Sequence, residues 1–247
     1  MGIIAGRDLR MMEESGRIVR KALDEMKAVI EIGVSTASID SVGREVIEAE
    51  GAIPSFLGYN GFPACVCVSI NDEVVHGIPS RTRIVKDGDL VSIDVGAFKN
   101  GFHGDAADTV AVGLPSPMAL LLVRTVYEAR DIGIEAARPG NTIGDVGSTI
   151  QKHVEDKGFG VVRSLVGHGI GRKLHEPPQV PNFGRAGRGM KLTDGLALAI
   201  EPMINIGGYR VRTLHDNWTV VTADGSLSAH AEHTIIVSSG SPLILTA

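Results

Sequence analysis

The chain has 247 residues, 43% of them hydrophobic and 21% charged, which suits one large soluble domain or two small ones and argues against a disordered or fibrous chain. Its 24 basic and 29 acidic residues leave a net charge of -5, the wrong sign for a protein that lives on phosphate backbones. The longest unbroken apolar run, Met118–Val123, is far too short to cross a bilayer, and no secretory signal is visible. The two cysteines, Cys65 and Cys67, sit on one face of an extended segment but too close along the chain for ordinary bridge geometry, so the expected setting is a reducing cytoplasm.

Asp8 is a plausible N-cap for a first helix, because Leu9, Met12, Val19, Leu23, Met26 and Ile30 recur near helical spacing up to Gly33. Ile39, Val42 and Val46 write a second helix between Ser35 or Ser38 and Gly51. The period then changes: segments 64–70, 90–98 and 108–112 read as strands. Ser116-Pro117 starts a third helix running to about Arg138, since Ser caps free amides and Pro fits the first turn. A fourth helix begins near Asn141 or Thr142, carries Ile143, Val146, Ile150 and Val154 on one stripe, and stops at Gly158. Strands return at 159–166, 196–200, 218–223 and 229–237.

Both halves, about 1–113 and 114–247, therefore show two helices followed by strands, and landmarks recur 107 residues apart: Gly33 and Gly140, Ser35 and Thr142, Gly51 and Gly158. The expected fold class is α+β with an internal pseudo-twofold repeat. A ligand site between the halves would draw on both.

Asn100-Gly101 between strand-like segments predicts a two-residue hairpin. That register sets Asp94 opposite Ala107 and makes Asp94 and Asp105 diagonal neighbours, close enough to grip one or two cations between them. Without a cation, two acids aimed at a half-buried point would repel and one would protonate. Asp94 stands in an otherwise apolar strand, where an isolated buried carboxylate is costly. Glycines on both sides of His168 would bend the backbone tightly and leave room at the imidazole. Glu201 ends an apolar strand, Glu232 enters another, and His76 and His175 lie in Val74-Val-His-Gly-Ile-Pro79 and His175-Glu-Pro-Pro178. Glu73 and His76 also spell Glu-x-x-His, but the Val-rich, Pro-ended context argues for strand or loop over a di-iron helix.

Val75-His-Gly-Ile-Pro79, Ser92-Ile-Asp-Val95, Gly101-Phe-His-Gly-Asp105, Gly167-His-Gly-Ile-Gly-Arg172, Ile200-Glu-Pro-Met203 and Ala231-Glu-His-Thr234 together resemble the type I, bacterial methionine aminopeptidases of the pita-bread fold. The resemblance runs nearly end to end. It implies a dinuclear metal centre held by Asp94, Asp105, His168, Glu201 and Glu232, with Asp105 and Glu232 bridging the ions. It implies that His76 and His175 face the scissile amide, that Glu201 shuttles a proton, and that a metal-bound hydroxide attacks the first carbonyl. The methionine pocket maps onto Tyr59, Phe62, Cys67, Leu174 and Trp218 with Phe56 beside them. Leu174, where an aromatic is common, and Phe56, where smaller residues occur, depart from the family's pattern.

The oxygen-rich ligand set suits Mn, Fe or Co, with Zn as a substitute in the test tube. The implied substrates are nascent polypeptides with a free N-terminal Met and a small second residue, met near the ribosome by a monomeric cytoplasmic enzyme with no specific nucleic acid and no membrane partner. The rival readings are a prolidase-like relative of the same fold, which usually carries an extra N-terminal domain, and a non-catalytic peptide-binding module, which has no reason to keep every ligand.

Overall fold

The computed structural model describes residues 2–247, and four helices carry the framework among them. The first two are α1 (Gly6–Ala28) and α2 (Thr36–Ala49), followed by the short strands β1 (Ile53–Pro54), β2 (Cys67–Ile70) and β3 (Glu73–Val75) and the long hairpin β4 (Leu90–Lys99) and β5 (Phe102–Ala111). Then come α3 (Pro117–Ala136), α4 (Ile143–Asp156), β6 (Gly160–Val161), β7 (Gly167–Gly169), β8 (Glu176–Val180), β9 (Ala197–Ile200) and β10 (Met203–Asn205). The chain closes with β11 (Val211–Thr213), β12 (Val220–Thr222), β13 (Ser228–His230), β14 (Glu232–Ile236) and β15 (Leu243–Ile244).

The central sheet runs β1-β4-β5-β14-β9-β7-β8, with β2 also paired to β4 and β15 to β14, and every pairing is antiparallel. One cluster of buried side chains fills the space between α1, α2 and the β2–β4–β5 face, with Leu23, Ile39 and Ile93 fully buried. A second, including Leu122, Val126, Ile150 and Ile200, lies between α3, α4 and the β9–β14 face. The stripe predicted for the fourth helix is the part of α4 that is buried.

The repeat is visible in hydrogen bonds as well as in helices. Ser35 and Thr142 cap α2 and α4 with their hydroxyls, and α4 adds a reciprocal bond from Thr142 N–H to the Asp145 carboxylate. Gly33 N–H donates to Val85 O as Gly140 N–H donates to Leu192 O, and the isolated bridges Ser35–Ile84 and Thr142–Lys191 match in the same way.

The hairpin forms as its turn predicts. Asn100 and Gly101 take φ of 52° and 87°, Lys99 pairs with Phe102, and Asp94 pairs with Ala107. The halves meet where β5 pairs with β14 through Glu232–Ala107 and His233–Ala106. One step further at one end, and two steps further at the other, a threonine hydroxyl replaces the ladder. Thr234 Oγ1 accepts from Asp105 N–H at 2.9 Å and donates to Asp105 O at 2.7 Å. Thr109 Oγ1 does the same for His230 N–H and O, at 3.0 and 2.7 Å.

On the other face of β5, Asp108 binds α1 and α3 to the sheet. Its carboxylate lies 2.8 Å from Lys27 Nζ, 3.2 Å from Arg20 Nη2 and 3.7 Å from Arg130 Nη1. Burial pushes this carboxyl up, but Lys27, Arg20 and Arg130 outweigh burial and hold it below the usual carboxylate range.

Several sequence expectations change in three dimensions. The first helix starts at Gly6 with Ala5 as its N-cap, so Asp8 sits in the first turn, where it favours the helix dipole. The expected strand at 229–237 is two, split at Ala231, with β13 pairing to β10 and β14 entering the central sheet. Segment 159–166 keeps only the two residues of β6. Cys65 and Cys67 are free and pack into different clusters, because the Asp40 carboxylate takes the amides of Cys65 and Val66 and bends the chain before β2 begins.

Candidate metal centre

Five side chains from both halves meet in a cavity of about 370 Å³. Asp94 projects from β4 and Asp105 from β5, diagonal across the hairpin and close enough to share a proton. His168 is the central residue of β7, Glu201 follows β9 directly, and Glu232 opens β14. One donor atom from each of Asp105, His168 and Glu232 lies within 4.8 Å of the others. His168 Nε2 stands 3.5 Å from Glu201 Oε1 and 4.0 Å from Asp105 Oδ2. At 2.9 Å, His168 Nδ1–H donates to the Gly169 carbonyl, which leaves Nε2 of the neutral ring bare and aimed at the acids.

Acids gathered this way strain against one another. Burial pushes Asp94 up to about 7. Burial first, and then the neighbouring carboxylates, drive Asp105, Glu201 and Glu232 well above the carboxylate range. Burial, helped by His175, brings His168 down to about 4, so its ring is neutral near pH 7. Asp94 Oδ1, Asp105 Oδ1 and Glu232 Oε1 are buried with no hydrogen-bond partner, and among the described residues no Lys or Arg pairs with any of the four acids. Orphaned oxygens beside a bare imidazole nitrogen fit a divalent cation, which would satisfy the lone pairs and cancel the repulsion together.

The cavity wall is apolar and comes largely from one loop. Phe56, Tyr59 and Phe62 stand on the segment after β1, Trp218 packs edge-on against Phe62 at 5.1 Å between ring centres, and Leu174 and Cys67 complete the lining. Cys67 is the cross-strand neighbour of Asp94. Burial and the nearby acids keep its thiol protonated, so it contributes apolar surface. His76, at the end of β3, adopts a left-handed φ of 59°, a conformation that costs a non-glycine residue about 1 kcal/mol or more. Burial brings it down to about 4. The His175 ring lies 4.2 Å from that of His168, and burial lowers its pKa also. All the residues proposed from sequence for metal, amide and methionine thus line the same cavity.

Residues 10–239 match metallopeptidase family M24. The chain belongs to that family. It is 51% identical over 239 residues to a methionine aminopeptidase of Clostridium perfringens and 48% identical over 239 residues to one of Clostridium acetobutylicum, covering 97% of this chain and 96% of the relative in each case. It also superposes on the crystal structure of methionine aminopeptidase from Thermotoga maritima with a TM-score of 0.98 at 43% identity, covering 100% of this chain and 99% of that one. The α+β architecture with its internal repeat is therefore the pita-bread fold, and its buried acid and histidine cluster is a site for divalent metal.

In this M24 peptidase the glycines beside His168 serve a purpose beyond the one read from sequence. They lie inside β7, and an added Cβ would sit 2.4 Å from Ala199 O at Gly167 and 2.2 Å from Pro177 O at Gly169. Close approach of the flanking backbones demands them, and the β7–β8 register shifts between His168 and Gly169. Sequence reasoning also passed over Asn60, which lines the cavity, and His230, whose buried Nε2 lies 3.9 Å from Glu201 Oε2. Gly58-Tyr-Asn-Gly61 was the available signal for Asn60, being a turn spelled among aromatic residues. The 107-residue spacing that relates Asp94 to Glu201 was a second unused signal.

Proposed function

We propose that the chain removes the N-terminal methionine from polypeptides, preferring a small uncharged second residue. The observation that carries this reading is the convergence of four acids and one imidazole, without a protein counter-charge, in a cavity of about 370 Å³ that also has an apolar wall. Asp94, Asp105, His168, Glu201 and Glu232 would hold two divalent ions, Mn, Fe or Co by the chemistry of the donors, with Zn as a substitute. The metal, when bound, lowers the pKa of water and polarises the carbonyl of the first residue.

The protein's own groups do the rest. Phe56, Tyr59, Phe62, Cys67, Leu174 and Trp218 enclose the thioether side chain, whose burial is worth about 1.5 to 3 kcal/mol. His175 donates a hydrogen bond to the carbonyl oxygen as negative charge develops there. His76, held by its strained backbone, contacts the amide being cut. Glu201 carries a proton to the leaving nitrogen.

Residues 1–247 act on this reading as one catalytic domain of two halves, about 1–113 and 114–247, working as a monomer on nascent chains near the ribosome in the cytoplasm. No helix among the described residues is long and apolar enough to cross a membrane, which accords with that setting. Release of methionine from Met-Ala-Ser with Mn or Co, with and without chelator, tests the activity. Metal-dependent release supports it, and silence under every metal condition favours a non-catalytic binding module of the same fold.

A further inference from the structure

The loop that walls the cavity is tied mainly to itself. Between residues 56 and 62 the backbone bonds run Tyr59 N to Phe56 O, Gly58 N to Phe62 O, Gly61 N to Gly58 O and Phe62 N to Tyr59 O. Gly58, Asn60 and Gly61 take left-handed φ of 78°, 49° and 89°, which folds the segment sharply and lifts Tyr59 at its tip. Ser55 anchors the base, through its N–H to Gly96 O and its Oγ to His103 Nδ1. Beyond that base, the hydrogen-bond tie between the loop and the rest of the protein, among the described residues, is Tyr59 Oη to His175 Nδ1 at 2.8 Å.

That contact decides which His175 nitrogen is left for the substrate. A neutral imidazole carries one N–H, and the partner of one nitrogen sets the character of the other. A phenol hydroxyl is a good donor, and donation to Nδ1 places the ring's hydrogen on Nε2. The opposite arrangement, Nδ1–H donating to Tyr59 Oη, would leave Nε2 bare and repel a carbonyl oxygen that is gaining negative charge. The two rings are also packed together, 5.1 Å between centres and 37° apart in plane, which restrains the tilt of the imidazole.

We propose that Tyr59 is a positioning residue: its hydroxyl donates to His175 Nδ1, fixes the Nε2–H tautomer, and so couples the methionine-lining loop to the group that stabilises the amide oxygen. The proposal rests on the reading of His175 given above. It separates two duties of one side chain, the ring serving methionine binding and the hydroxyl serving turnover.

The test compares wild type, Tyr59→Phe, Tyr59→Leu and His175→Ala, each checked for folding by circular dichroism. With Met-Ala-Ser and Mn, Tyr59→Phe should lose about tenfold in kcat with KM nearly unchanged, and Tyr59→Leu should raise KM in addition. Long-range proton–nitrogen NMR on histidine-labelled, Zn-loaded protein should show His175 with its hydrogen on Nε2 in wild type and a mixture of tautomers in Tyr59→Phe. A hydrogen on Nδ1 in wild type, or a Tyr59→Phe protein with wild-type kcat and an unmixed tautomer, overturns the proposal, as does a Tyr59→Phe defect confined to KM. If His175→Ala turns over at the wild-type rate, the underlying role of His175 has failed. If His175→Ala is impaired while Tyr59→Phe is silent, the positioning role alone has failed.

Discussion

Asp105 and Asp108 stand three residues apart on β5, both almost fully buried, and face opposite surroundings. Asp108 meets Lys27, Arg20 and Arg130 and is held ionised, whereas Asp105 meets Asp94, Glu232 and a histidine with a bare nitrogen and is driven toward protonation. One strand thus carries a carboxylate whose counter-charge is built in and another whose counter-charge must arrive from solution. Where an acid serves architecture the chain supplies cations itself; where it serves chemistry the chain withholds them.

Removing Asp105 tests the contrast most severely. Asp105→Asn should abolish metal uptake and cut turnover by on the order of 10³-fold, while the metal-free protein stays folded and gains in Tm because one repelling charge is gone. Metal content, activity and thermal melting read this together, and undiminished activity would refute a ligand role. Asp108→Asn should do the reverse. It should cost about 2 to 3 kcal/mol, less than a fully enclosed pair because Lys27 reaches water, and leave metal content per folded molecule unchanged.

Asp94, the partner of Asp105 across the hairpin, and Asp108 should also answer pH with opposite signs. Asp94, whose carboxyl sits near 7 in the fold against 3.8 normally, binds its proton more tightly folded than unfolded. The metal-free protein should therefore lose a few °C of Tm as pH rises from about 4 to 7, and bound metal should erase that slope. Asp108 is depressed, so its stabilisation is present above the ordinary carboxylate range and disappears as pH falls through its folded value, with or without metal. Melting curves against pH with and without chelator decide this, and identical slopes would break the comparison. Thr234→Val is the mildest change. It unpairs the Asp105 N–H and carbonyl, costs about 1 to 2 kcal/mol, and should weaken metal affinity about tenfold by loosening one donor, as titration calorimetry would show.

Much of this arrangement was readable before any coordinates. Asn100-Gly101 imposed the hairpin register because only left-handed residues close a two-residue turn, and that register alone brought Asp94 and Asp105 together. The caps at Ser35 and Thr142 were readable because capping is local chemistry. What escaped depends on neighbours distant in sequence. β7 is a strand made of Gly-His-Gly, with no propensity of its own, and exists because β8 and β9 press against it. β8 contains Pro177 and Pro178, which ordinarily argue against a strand, and is tolerated at the edge of the sheet. The break at Ala231 leaves no mark in an apolar run, since both flanking segments are equally strand-like. Asp108 gave no sign of its role because its three partners lie on α1 and α3.

The junction where β5 meets β14, two ladder pairs flanked by threonine hydroxyls, bears on the life of the molecule during synthesis. A copy extended only as far as β5 owns Asp94 and Asp105 of the five; His168, Glu201 and Glu232 emerge later. The five-membered cluster is therefore complete only once the chain has reached β14, so the cavity gains its full charge late in synthesis.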